Sequence, residues 1–185
     1  MAAEIILLRH ARPLVGHGHP SEWGLSPQGR QAAWAVAKLE FWRSVAYIYS
    51  SPERKAIQTA VPISARHRIP VYMMEGLREV KRPYEDEDFE AKLEAYFSGE
   101  PPPGWENPDE AEARIRTCIV GLSARLEGRV AVVSHGAILT LFVANIQGAK
   151  PTYERHKSIG FCDYAIYDPE SGAMVKDFGG EGYPE

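Results

Sequence analysis

The chain has 185 residues, of which 44% are hydrophobic and 25% charged, with a formal net charge of −4. That length suits one domain with a full apolar core, and the composition belongs to a folded globular protein rather than a disordered or fibrous one. The negative balance argues against a general nucleic-acid or membrane-surface binder, because a basic face holds such partners, so any anion site must be a local concentration of cations.

In chain order, "EIILLR" (4–9) is a short continuous apolar run and predicts a strand buried on both faces. "LSPQGRQAAWAVAKLEFW" (25–42) predicts a helix capped by Ser26, with Pro27 at its first position, where the missing N–H costs nothing. A second strand follows in "SVAYIYSS" (44–51), and "SSPERKAIQTAVPIS" (50–64) repeats the helix start with Ser51, Pro52 and Glu53. There the acid would oppose the helix dipole, and Pro62 is expected to kink or end the helix. "RIPVYMM" (68–74) predicts another strand. Residues 80–108 combine an acidic run, a proline triplet and several aromatic residues, and are expected to form an irregular insertion suited to a lid over a pocket. In the helix predicted over 107–126, Ala111, Ile115, Ile119, Leu122 and Leu126 fall on one face. "GRVAVVSH" (128–135) predicts a buried strand, "GAILTLFVANI" (136–146) a buried helix, and 161–179 a hairpin turning at "DPESG". Strands alternating with helices imply parallel βαβ units, hence a three-layer α/β/α domain with a mostly parallel sheet spanning residues 1–185.

Cys118 and Cys162 are isolated and have neither disulfide-framework nor metal-ligand spacing, so both are expected to be buried and reduced. The Ile5–Leu8 run is too short for a signal-peptide core and no stretch approaches a membrane span, so a cytoplasmic protein is expected. "HGHP" (17–20) offers two histidines with no adjacent cysteine or carboxylate, which reads as an exposed loop rather than a metal site.

The chemistry lies where predicted strands end. Arg9 and His10 close the first strand, and Ser134, His135 and Gly136 close a later one; if those strands are neighbours, the two histidines converge on one sheet edge, where open α/β sheets bind ligands. "LREV" (77–80) adds Glu79, and Arg54–Lys55 opens a helix. A nucleophile, several cations and an acid are what phosphoryl transfer requires.

These segments resemble the histidine phosphatase superfamily, the phosphoglycerate-mutase-like group. "LLRHA" is similar to its opening Arg-His-Gly motif, "LSPQGRQAA" to its second segment, and "YSSPERKAIQTA" to its Ser-Ser…Ala-x-Gln-Thr-Ala stretch. "GLREV", "GWENPDEAEARI" and "VVSHGAIL" are similar to the later segments that carry its acid, its Gly-Gly-Glu-Ser…Arg run and its closing Ser-His-Gly. The resemblance implies His10 as nucleophile, Arg9 and His135 on the phosphoryl oxygens, and Glu79 as the acid that protonates the leaving group and later activates water. It implies a small phosphorylated substrate and neither a metal nor another cofactor. Ser134, Gly136 and Ala137 of the closing motif are expected to help bind substrate.

Three positions depart from the family pattern. Ala11 replaces the glycine after the first histidine, and "RPLVG" replaces the residues that usually follow, which leaves Arg12 or His17 to contact substrate. The motif register puts Lys55 where the family has a phosphate-binding arginine, with Arg54 one residue earlier. Lys is a point charge where Arg is a bidentate fork, so Lys55 would take the role with looser geometry or Arg54 would reach around. Hydrolysis is the expected reaction. A mutase would need a longer water-excluding lid, a protein-phosphohistidine phosphatase would need a more open pocket, and a non-catalytic scaffold would not need both histidines and Glu79.

Overall fold

The computed structural model describes residues 4–16, 18–84, 87–124 and 128–179. Six strands form one sheet in the order β3-β2-β4-β1-β5-β6. The first four, β1 (Ile5–Arg9), β2 (Val45–Ser50), β3 (Val71–Met73) and β4 (Arg129–Ser134), run parallel, and β5 (Tyr164–Asp168) and β6 (Ala173–Lys176) extend the β1 side antiparallel. Among the described residues the α-helices are α1 (Pro27–Val36), α2 (Arg54–His67), α3 (Phe89–Phe97), α4 (Pro108–Ser123), α5 (Gly136–Ile146) and α6 (Tyr153–Ser158).

Both faces of the central strands are buried, and alternation along each strand divides the apolar residues between two cores. Ile5, Leu7, Val130 and Val132 pack with Ile115 and Ile119 of α4 and with Ile138 and Phe142 of α5. Ile6, Leu8, Ala131 and Val133 face the other way, with Ala33 and Val36 of α1 and Ala56, Ala60 and Ile63 of α2. The result is the α/β/α layering expected from the sequence. The register of β1 against β4 matters most for function, because Arg9 pairs with Ser134 and so aligns the ends of the two motif-bearing strands.

Local signals account for several boundaries. Ser26 caps α1 by accepting the Gly29 N–H at 2.9 Å, and Asn107 caps α4 through Asp109 and Glu110. Ala111, Ile115, Ile119 and Leu122 are buried as the helical spacing predicts, while Leu126 lies outside the described residues. All of Gly136–Ala144 in α5 is buried. The hairpin closes at Asp168, whose carboxylate accepts the N–H groups of Glu170 and Ser171.

Other boundaries differ from the sequence expectation. The helix expected over 25–42 stops at Val36, and a 3-10 turn over Glu40–Ser44 follows. Trp42 is fully buried there, with its indole N–H donating to the Val36 carbonyl at 2.7 Å, so burial of a large ring supplants helix continuation. Ser51 does not cap α2: its hydroxyl accepts the Glu53 N–H, and α2 starts only at Arg54. Pro62 does not end α2, which continues to His67 with Pro62 on its buried face, and Arg68 leaves in the left-handed conformation. Residues 80–108 hold the regular helix α3, whose Leu93, Tyr96 and Phe97 are buried in the core. Cys162 is buried and Cys118 partly exposed; both are free thiols. No helix among the described residues is long and apolar enough to cross a membrane.

Candidate active site

At the carboxyl edge of β1 and β4 lies a pocket of about 350 Å³. Arg9, His10, Glu53, Lys55, Glu79 and His156 line its floor and walls, and Pro20, Trp23, Val80, Lys81, Arg82, Phe89 and Phe161 lie around them. Its position follows from the topology, since parallel strands carry their ends, and the loops after them, to one edge.

His10 is 4% exposed, and its backbone N–H donates to the Ser134 carbonyl at 3.0 Å. Its Nδ1 lies 2.8 Å from the Ala11 carbonyl, an acceptor, so that nitrogen carries the proton and Nε2 keeps its lone pair. Burial, then the charges of His135, Lys55 and Arg9, hold the imidazole well below its usual pKa. A neutral ring with a basic Nε2 is the form a nucleophile needs.

His135 is fully buried, edge-on to His10 with ring centroids 5.0 Å apart. Its Nε2 is 2.7 Å from the Ser51 hydroxyl and 3.7 Å from a Glu53 oxygen, and its Nδ1 is buried with no partner among the described residues. Burial and then the Lys55 and Arg9 charges likewise hold it well below the ordinary histidine pKa. Arg9 donates to the Ile159 carbonyl and stacks over Phe161 at 4.3 Å, while its Nε is buried without a partner among the described residues. Burial lowers its pKa to about 10, so it stays a cation at neutral pH.

Lys55 enters the pocket from the first turn of α2. It is 5% exposed, and its ammonium donates to Glu53 at 2.6 Å and to the Pro20 carbonyl at 2.9 Å. Arg54 faces solvent and does not line the pocket, because adjacent residues on a helix lie about 100° apart and only one can point inward. Glu79 sits at the N-terminus of α5, where one oxygen accepts from Val80 and Ile138 and the other, among the described residues, from Ala137.

The other expected binding residues are placed as follows. The Ser134 hydroxyl donates to the Leu77 carbonyl and is fully buried, so it holds the segment before Glu79 rather than facing the pocket. A Cβ at Gly136 would come within 2.6 Å of His156 and 3.0 Å of Arg9, so glycine is required for close packing there. Ala137 spends its N–H on Glu79. Arg12 lies outside the pocket lining, its guanidinium 5.3 Å from the Phe161 ring centroid. His17 lies outside the described residues. Its neighbour His19 lines the pocket and bonds Ser21. No group of three metal-ligating side chains occurs among the described residues.

Ser51 and Glu53, expected only as a helix start, and His156 and Phe161 also belong to the site or its immediate surroundings. His156 lies in an Arg-His dipeptide like those at 9–10 and 66–67, yet α6 brings it against Arg9. Burial first and Arg9 second lower its pKa to about 4.

A family model described as the histidine phosphatase superfamily (branch 1) matches residues 5–177. The chain belongs to that superfamily. This histidine phosphatase chain is 30% identical over 135 residues to "Putative phosphoserine phosphatase 2" of Hydrogenobacter thermophilus, an alignment covering 67% of the chain and 66% of the relative, just under two thirds of the latter's length. Its fold matches a mycobacterial glucosyl-3-phosphoglycerate phosphatase at a TM-score of 0.76, with 21% identity and 95% and 97% of the two chains covered. It also matches a phosphoserine phosphatase of Entamoeba histolytica, solved with 3-phosphoglyceric acid, at 0.76, with 22% identity and 96% and 97% coverage.

Proposed function

We propose that this histidine phosphatase is a metal-independent phosphomonoesterase that acts on a small phosphorylated metabolite through a phosphohistidine on His10. The observation that carries this reading is the tautomer of His10: Nδ1 is engaged by the Ala11 carbonyl, which leaves Nε2 basic in a pocket with Arg9 and Lys55. In the first step Nε2 attacks phosphorus, the bond to the ester oxygen breaks, and Glu79 gives that oxygen a proton. Glu79 Oε2 accepts one hydrogen bond where Oε1 accepts two, so Oε2 has room for the proton. In the second step water attacks phosphorus, Glu79 takes its proton, and the P–N bond breaks to release phosphate. Arg9, Lys55 and His135 would hold the phosphoryl oxygens, and Arg9 Nε and His135 Nδ1, which have no partner among the described residues, are groups that an oxyanion would satisfy.

The relatives are named for phosphoserine and glucosyl-3-phosphoglycerate, both small phosphorylated metabolites, and a pocket of about 350 Å³ suits a substrate of that class. Residues 80–108 would serve as its cover within a single domain, since Val80, Lys81, Arg82 and Phe89 line the pocket while α3 is anchored in the core. A cytoplasmic setting agrees with two free thiols, and the net charge of −4 agrees with a protein that binds no nucleic acid.

The leaving-group role of Glu79 can be read by varying how badly that group needs a proton. Glu79→Gln should slow single-turnover phosphorylation modestly with p-nitrophenyl phosphate and severely with an alkyl ester such as phosphoserine. Equal slowing with both esters would remove Glu79 as the acid.

A further inference from the structure

Lysine is a poor choice for holding a phosphoryl group at a fixed angle. Its ammonium is a point charge on a flexible four-carbon stem, and its three donors rotate freely. In this pocket two of those three donors are already fixed, one by the Pro20 carbonyl and one by Glu53. Glu53 is itself 5% exposed and lines the pocket. Its second oxygen accepts the backbone N–H of Glu79 at 3.0 Å and lies 3.7 Å from His135 Nε2. One carboxylate therefore joins the cation on the phosphoryl side to the segment that carries the acid on the leaving-group side. A negative charge there opposes an incoming anion, so its presence is not explained by ground-state binding.

We propose that Glu53 is a positioning residue of this active site, fixing the Lys55 ammonium and the Glu79 backbone relative to each other so that both address one phosphoryl group. The inference rests on the phosphatase reading above. Glu53 acts through the two groups it holds: it aims Lys55's remaining N–H and sets where the Glu79 carboxyl begins. Misplacement of about 1 Å in such a constellation costs on the order of a hundredfold in rate. The Glu53 charge also repels phosphate, so its removal should not weaken anion binding. That combination distinguishes positioning from simple structural support.

The test uses the full chain with p-nitrophenyl phosphate as substrate and inorganic phosphate as inhibitor. Glu53→Gln should lower kcat about a hundredfold while the inhibition constant for phosphate stays unchanged or falls. A kcat within about twofold of the parent, or a loss of phosphate affinity in proportion to the loss of kcat, would overturn the proposal. If removing one partner of the buried pair prevents folding, Glu53→Asp gives the second reading. It keeps the charge but is one methylene too short to reach Lys55 and the Glu79 N–H together, so kcat should fall at least about tenfold with phosphate inhibition retained. An aspartate variant with the parent's kcat would overturn the proposal as well. Failure of the parent protein to hydrolyse any phosphomonoester would instead strike the phosphatase reading, and the proposal with it.

Discussion

Lys55 and Arg54 are adjacent cations of which the structure turns only one toward the pocket. Lys55→Ala should therefore weaken phosphate inhibition and reduce kcat by about a hundred- to a thousandfold, the range seen when a preorganised donor is removed. Arg54→Ala should change both by less than about threefold, since it removes an exposed side chain. Steady-state kinetics of the two variants check the ranking, and the reverse order would show that the pocket has been assigned to the wrong cation. At this scale the sequence was informative wherever a residue's neighbours in the chain carried the signal. His10, Lys55, Glu79 and His135 each sit in a short motif, and all four converge at or beside the pocket. Glu53 was misread because its helix start looks like that of α1, and the "SSPE" run suggested an acid facing the helix dipole. The chain instead enters α2 two residues later, which frees the carboxylate to meet Lys55. Ser134, Gly136 and Ala137 show the limit of such signals, because a motif does not reveal which members face a ligand and which make room for it.

Among the elements, buried strands and strongly patterned helices were legible, because apolar runs of fixed period identify them without tertiary context. The β1–β4 pairing is what makes the motifs meaningful, and the sequence offers it only as a condition that the register of Arg9 against Ser134 then meets. Where tertiary packing competed with local signals, the sequence misled. Trp42 ends α1 early by turning into the core, and Pro62 is carried inside α2, whose apolar face stays continuous against the sheet. The two helices not foreseen, α3 and α6, are short and flanked by proline, glycine and charge, so their stability comes from packing rather than propensity. Both matter for the site, since α6 delivers His156 and α3 begins at Phe89 on the pocket wall.

The whole molecule carries a cost for burying imidazoles beside cations. His10, His135 and His156 all have folded pKa values below the ordinary histidine value of 6.5, with His156 at about 4. Below pH 6.5 the unfolded chain therefore binds protons that the native state does not, and unfolding becomes easier as pH falls; stability rises with pH through this window, at most about 1.4 kcal/mol per pH unit for each such group. His156→Gln should flatten the dependence of unfolding free energy on pH between about 6.5 and 4, measured by urea titration at several pH values. An unchanged slope would mean that His156 is charged in the native state. The same neutral, cation-flanked environment is the basis for the central claim, that His10 is the phosphoryl acceptor. The most direct measurement is rapid quenching of enzyme mixed with a phosphomonoester, followed by mass mapping under alkaline conditions, where phosphohistidine survives and acyl phosphates do not. A phosphoryl group is expected on the peptide containing His10, formed at the rate of the first half-reaction and absent from His10→Ala. Turnover with no such adduct, at a comparable rate in His10→Ala, would contradict it.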